Sequence, residues 1–264
     1  MEIFGYIASL LIGISLGLIG GGGSILTVPV LVYLFGLDAL AATEYSLFIV
    51  GISSLAGSFS YFKKGWVDLR TALVFGLPSV ISIFIARNYV LPLAPDKILT
   101  IGSWTMSKDT FLLLVFAGLM LLASFKMIRK HPGVQKWKTH AGKSDTFLAA
   151  MQGSVVGVLT GFVGAGGGFM IIPALVSLLR TPMKVAIGTS LVIIACNSLI
   201  GFLTSMGHMD INWNFLATIS AIAVAGIFIG SHISGKIDGN KLKPAFGWFI
   251  LLMGMYIMVR EVLY

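Results

Sequence analysis

The chain has 264 residues, 57% of them hydrophobic and only 11% charged, with a formal net charge of +8 and a mean hydropathy of +0.97. So apolar a composition excludes a water-soluble domain and points to a polytopic membrane protein; the lysines and arginines lie between the apolar runs, so the positive balance reads as basic loops facing a cytoplasm, not as a nucleic-acid surface. The single cysteine, Cys196, sits inside an apolar run, which excludes an intramolecular disulfide and a cysteine metal cluster.

A helix needs about 20 apolar residues to span hydrocarbon. The first apolar segment, 3–19, begins directly after Met1 and Glu2 with no basic n-region, so it reads as part of the mature fold and not as a cleaved signal peptide. It runs into Gly20, Gly21, Gly22 and Gly23, a cluster through which a helix does not easily continue, and then into Ser24 and a short segment, 25–36. Longer segments follow at 41–61, 71–92 and 110–128. After a basic stretch the series recurs as 146–163, the cluster Gly164, Gly166, Gly167 and Gly168, a short segment 169–179, and then 184–206, 213–234 and 244–260.

The two sets of five are copies. Gly17 to Pro29 lies over Gly161 to Pro173 at an offset of 144 residues, and the same offset pairs Gly13 with Gly157, Ser46 with Ser190, Ser53 and Ser54 with Asn197 and Ser198, and Gly57 with Gly201. The register slips only near the end of each half, where the first copy carries extra residues around Gly102 to Asp109, expected to form a loop. The chain therefore divides into a first transmembrane repeat (1–128), a basic linker (129–143) and a second repeat (144–264).

Lys126, Arg129, Lys130, Lys136, Lys138 and Lys143 surround that linker with no acid before Asp145, which places the 126–143 loop in the cytoplasm. Threading outward from it puts all of the 18 Lys and Arg residues on the cytoplasmic side except Arg87, Lys97, Lys108 and Arg260. The turn between the third and fourth segments then falls inside in one half and outside in the other, so the repeats are inverted. The expected fold is an all-α integral membrane protein, an inverted repeat of two five-segment units, each opening with a Gly-broken re-entrant or short helix pair. The first two segments of each half are either two full crossings or a re-entrant hairpin with the glycines at its tip; as a helix 25–36 covers about 18 Å, which favours the hairpin. Inverted units meeting at interrupted helices are the architecture of many secondary transporters.

Where a helix begins inside a membrane, its first N–H groups lack intrahelical partners and carry the positive end of the helix dipole. In hydrocarbon they need an acceptor, and glycine lets an oxyanion approach successive N–H groups. Gly20, Gly21, Gly22, Gly23 and Ser24, with Gly164, Gly166, Gly167 and Gly168, are thus candidate ligands of a small anion. The plainer role of glycine in membrane helices is close packing, and the four-residue spacing of Gly13 and Gly17, and of Gly153, Gly157 and Gly161, is read that way. A nucleotide loop is excluded, because no strand precedes the glycines and no P-loop Lys follows them.

Ser46, Ser53 and Ser54 in one third segment, and Thr189, Ser190, Asn197 and Ser198 in the other, either line the site or bond helix to helix; their recurrence in both copies favours lining. Gln152 has the same two roles open to it, and Cys196 is read as a small apolar filler. Glu44, Asp68, Asp210, His208 and His232 fall near segment ends, where a solvated role stands beside proton coupling, and Arg87 lies where it can snorkel. No catalytic constellation, metal-ligand spacing or cofactor motif is present.

The paired openings Gly-x-x-Gly-Gly-Gly-Gly-Ser-x-x-x-x-Pro and Gly-x-x-Gly-Ala-Gly-Gly-Gly-x-x-x-x-Pro, each followed by an alanine-rich turn and a Thr/Ser-containing helix, resemble the TauE/SafE family of membrane permeases over essentially the whole chain. The resemblance implies export of sulfite or small sulfonates, such as sulfoacetate, across the bacterial inner membrane. Two alternatives stay open: a permease for another small anion or a metal complex, and a non-transporting membrane partner that anchors a sulfur-metabolism enzyme through the 126–143 loop, whose simpler role is to set topology and touch lipid headgroups. The implied partners are a small anionic substrate and the lipid bilayer, with no nucleic acid; a homo-oligomer is compatible with the pattern.

Overall fold

The computed structural model describes residues 2–90, 97–101, 104–128, 143–163, 168–179, 181–206 and 211–263. The 129–142 part of the linker, Gly164, Gly166, Gly167, His208 and Asp210 lie outside the described residues. Among the described residues ten helices follow the ten apolar segments: α1 (Glu2–Ile19), α2 (Gly22–Tyr33), α3 (Ala39–Lys63), α4 (Leu69–Ile85, running on through a π turn, Ala86–Val90), α5 (Lys108–Ile128), α6 (Lys143–Val163), α7 (Gly168–Pro173, continued by a π turn, Ala174–Leu178), α8 (Met183–Ser205), α9 (Trp213–Lys236) and α10 (Gly239–Leu263). Within the described residues four stretches are long and apolar enough to cross a membrane: Ala41–Lys63, Leu69–Tyr89, Met183–Thr204 and Trp213–Lys236.

The insert expected as a loop around Gly102 to Asp109 is different in kind. Strands β1 (Lys97–Ile101) and β2 (Trp104–Ser107) pair antiparallel, with Ile101 opposite Trp104, and α5 already begins at Lys108. Its β-branched and aromatic residues suit a pleated pair, a signal overshadowed in the sequence by the much longer helical runs on either side.

Polarity is distributed inside out. Leu69, Leu73, Leu77 and Ile81 form one exposed apolar stripe along α4, whereas Ser9, Ser24, Ser53, Ser54 and Ser198 are buried. Lipid, unlike water, solvates such a stripe, and the buried hydroxyls are kept out of hydrocarbon. The core lies where the short helices meet α8: Ile12 and Leu16 of α1, Ile25 of α2, Ile171 and Ile172 of α7, and Ile187, Leu191 and Ile194 of α8.

Glycines set the helix spacing. α1 packs on α9 and α4 on α6, in both cases backbone against backbone: a side chain at Gly13 would meet the Ala223 carbonyl, one at Gly157 the Ser79 carbonyl. Those contacts are themselves related by the 144-residue offset. So are the helix starts. Asp68 caps α4 by accepting from the N–H groups of Arg70 and Thr71, and Asn212 caps α9 by accepting from Phe215 N–H; the Asp68 N–H donates to Thr189 Oγ1 at 2.9 Å, the Asn212 N–H to the Tyr45 hydroxyl at 2.8 Å. Between α3 and α8, Gly57 faces Leu191 and Gly201 faces Leu47, each at 3.4 Å from an added Cβ, while Gly51 faces Leu199. The third helices of the two halves thus run antiparallel. The fifth helices do too, with Gly247 of α10 against Met127 and Ile128 of α5, and Gly254 against Met120.

Gly157→Ala is expected to destabilise the protein by about 1–3 kcal/mol, because the added methyl drives into a backbone carbonyl that cannot yield. Gly118→Ala in α5, with nothing within 4 Å of the new Cβ, is expected to be neutral or slightly stabilising. Thermal unfolding of both variants in one detergent measures the difference.

Candidate functional site

The first break is a sharp reversal. The Gly20 N–H closes the last turn of α1 on the Leu16 carbonyl at 2.7 Å, and Gly20 itself takes φ +77°, a left-handed conformation that glycine adopts without penalty. α2 then folds back along α1, with Gly23 against the Ile12 carbonyl and Leu16 side chain and Gly5 against the Phe35 ring. The pair is an antiparallel hairpin with Gly20 and Gly21 at its tip.

That tip rests on the body of α8, where a Cβ on Gly20 would lie 2.8 Å from Ile187 Cγ2 and 2.9 Å from Ser190 Oγ. The second break meets the first there. Gly168, the first residue of α7, is placed so that its Cβ would lie 2.7 Å from Ile194 Cδ1, 3.1 Å from Ser24 Oγ and 3.2 Å from Gly21 Cα. Gly168 and the first break, far apart in sequence, are thereby brought into contact across one face of α8.

The α2 start is electrostatically incomplete. Its N-cap, Gly21, has no side chain to offer, and the hydroxyl of Ser24, in its first turn, donates backward to the Gly21 carbonyl at 2.7 Å. The first N–H groups of α2 therefore carry the positive end of the helix dipole with no side-chain acceptor among the described residues. Gly20, Gly21, Gly23 and Ser24 are buried.

The sequence-predicted polar residues divide into three groups. Ser190 belongs to the break. Ser53, Ser54, Asn197 and Ser198 belong to the antiparallel crossing of α3 and α8; they are almost wholly buried, and the Ser53, Ser54 and Ser198 hydroxyls and Asn197 Oδ1 have no hydrogen-bond partner among the described residues. Asn197 Nδ2 is held by Ser79 Oγ of α4 at 2.8 Å. Ser46 and Thr189 form the third group: the Ser46 hydroxyl returns to the Thr43 carbonyl at 2.8 Å, and Thr189 serves the α4 start through Asp68. Gln152 is buried on α6, with no partner for Oε1 among the described residues.

Three features escape the sequence reading. Tyr61, at the end of an apolar segment, is fully buried and donates its hydroxyl to the Gly17 carbonyl at 2.7 Å, one turn before the first break. A Trp66 ring carries two lysines. Glu44 and Arg87, expected near segment ends in solvated positions, are instead paired and enclosed: Arg87 Nη1 lies 3.4 Å from Glu44 Oε2 and 3.2 Å from the Gly201 carbonyl, with the side chains 7% and 10% exposed. The π turn after α4 carries the helical path past Arg87, and mutual neutralisation makes burial tolerable for both ions. Apolar periodicity carries no trace of a pairing between residues 43 positions apart.

Residues 6–257 match the family model described as Sulfite exporter TauE/SafE. Curated relatives cover the chain almost end to end. A "Probable membrane transporter protein" of Xylella fastidiosa strain 9a5c is 30% identical, over 95% of this chain and 92% of its own length. "Probable membrane transporter protein YunE" of Bacillus subtilis is 28% identical over 93% of each, and "Probable membrane transporter protein MJ0441" of Methanocaldococcus jannaschii 25% identical over 96% and 94%.

Replacing Arg87 alone strands a buried carboxylate, so Arg87→Met is expected to cost about 3–5 kcal/mol. Arg87→Met combined with Glu44→Leu is expected to recover most of it. Denaturation of the single and double variants in detergent measures the recovery, and additive losses would contradict the pairing.

Proposed function

The chain belongs to the sulfite exporter TauE/SafE family, and from that membership and the meeting of its two glycine breaks we propose that it is a secondary transporter exporting a small sulfur oxyanion, sulfite or a small sulfonate. Its relatives are named as membrane transporters, and the multi-pass helical architecture agrees with them. The observation that carries the substrate reading is the incomplete α2 start in contact with Gly168. An anion removed from water needs several donors, and uncapped helix amides supply them without rearrangement.

In this reading residues 1–128 and 144–264 are two repeats inverted in a bacterial inner membrane, joined by a cytoplasmic 126–143 loop. The antiparallel packing of α3 on α8 and of α5 on α10 supports the inversion. Backbone N–H groups of Gly21 to Ser24, past the Gly20 turn whose own N–H is held by the Leu16 carbonyl, and of Gly164 to Gly168 cradle the anion. Ser53, Ser54, Asn197 and Ser198 complete its shell at the helix crossing, with Ser46, Thr189 and Ser190 at its margins. Asn197 Oδ1 is an acceptor and suits the O–H of a singly protonated anion, while the hydroxyls donate or accept as the protonation state requires. The Glu44–Arg87 bond to α8 closes the outer end, and the Tyr61 bond to α1 closes the inner one. Alternating access is then the exchange of these two closures around a fixed site.

Efflux of radiolabelled sulfite from proteoliposomes tests the reading. Gly168→Val, which forces Ile194 and the first break aside, is expected to lower flux about tenfold or more, the equivalent of ~1.4 kcal/mol. Asn197→Asp, which sets a like charge beside the anion, is expected to raise the KM. Unchanged flux in both folded variants would remove the cradle; displacement of sulfite by sulfate or a metal complex, with no effect of sulfonates, would reassign the substrate.

A further inference from the structure

Two lysines converge on one indole at the end of the bundle where α3 and α9 finish and α4 and α8 begin. Lys64 Nζ lies 5.4 Å and Lys184 Nζ 4.9 Å from the centre of the Trp66 ring. Each ammonium donates to one carbonyl near the end of α9, Lys64 to Ser231 at 2.8 Å and Lys184 to Gly235 at 3.2 Å. Those bonds use one of the three donors of each. Neither lysine meets a carboxylate among the described residues. Asp68, the acid nearest in the chain to Trp66, spends its carboxylate on the α4 start and on the Thr71 hydroxyl at 2.7 Å.

The pair is wired to the first glycine break from two directions. Lys64 also lies over the Tyr61 ring at 5.4 Å, and the Tyr61 hydroxyl holds the Gly17 carbonyl at 2.7 Å. Lys184 is in the first turn of α8, three residues before Ile187, whose Cα lies 3.0 Å from a Cβ built on Gly20. One helical turn, about 5.4 Å, therefore separates the lysine level from the break.

We propose that Lys64 and Lys184, held against Trp66, form an oxyanion-binding subsite at the mouth of the path to the Gly20 break. The inference rests on the reading above that the transported species is an anion entering from this, the cytoplasmic, end. Two like charges on one ring repel, and an oxyanion between them offers several acceptors to the donors the carbonyls leave over. Burial and then the neighbouring Lys184 charge push the Lys64 ammonium below its usual pKa, the mark of a cation short of a counter-ion. A lipid phosphate has the same chemistry, and a lysine–tryptophan group at a membrane surface attracts it too. The links through Tyr61 and α8 to the break favour the transported anion.

The full-length protein in nanodiscs of phosphatidylcholine, and in discs containing phosphatidylglycerol, separates the two. Sulfite is titrated while tryptophan fluorescence is followed, with Trp66→Phe isolating the Trp66 signal. In phosphatidylcholine discs sulfite is expected to change that signal saturably. Lys64→Gln or Lys184→Gln is expected to raise the apparent Kd about tenfold, with Arg at either position restoring it. In proteoliposomes the Gln variants are expected to raise the KM for sulfite more than they lower the maximal rate. A Trp66 signal that answers phosphatidylglycerol but not sulfite, or Gln variants with unaltered Kd and KM, would overturn the subsite. A saturable, lysine-dependent signal in a protein that moves no sulfite would keep the subsite and defeat the transport reading; normal flux without the signal would do the reverse.

Discussion

A backbone N–H group buried in hydrocarbon must find an acceptor, and most of this structure follows from where that demand is and is not met. Most of the chain meets it inside helices. At Gly20 and Gly21 the helix is broken within the protein interior, the next helix starts with a side-chainless cap, and Ser24 turns its hydroxyl away to a carbonyl. An interruption of that kind is costly in lipid unless something bonds to the uncapped amides, and the proposed anion is assigned that part. Gly168, the opening residue of the second short helix, stands against Gly21 and Ser24, which is why the proposed anion is assigned to both.

The remaining glycines do a different job, that of bringing backbones close enough to hold the breaks in place. α1, which ends at the first break, is pressed onto α9 through Gly13 and Gly17, and α6, which leads to the second, is pressed onto α4 through Gly153, Gly157 and Gly161. Dispersion over such close contacts is the main source of helix association in lipid. Because these contacts and the capping bonds of Asp68 and Asn212 recur at one offset, each half supports the interrupted helix of its own copy with the other half's fourth helix.

Much of this was legible in the sequence. The break positions, the ten segments and the repeat offset follow from glycine clustering and apolar runs, since those are the features that decide where a helix is possible in a membrane. The segment read as 41–61 extends to Ala39–Lys63, an ordinary uncertainty of helix ends. What was not legible depends on contacts between distant residues. Nothing local marks Glu44 as the partner of Arg87, or says that Thr189 Oγ1 accepts from the Asp68 N–H while the Ser53, Ser54 and Ser198 hydroxyls find no partner among the described residues. Tyr61 and Trp66 count as apolar in any hydropathy window, although one places a hydroxyl beside the break and the other gathers two lysines. The 97–107 hairpin was hidden for a further reason: its residues lie where the two copies lose register, so the repeat gave no second view of them.

The central claim is that the two breaks share one anion. Selenite, a heavier analogue of sulfite, tests it directly in an anomalous-difference map of crystals grown with the ligand. A peak within hydrogen-bonding distance of the first amides of α2 and beside Gly168 is the predicted result. A bound selenite located away from both breaks, with Gly21 and Gly168 still packed against each other, would contradict the account.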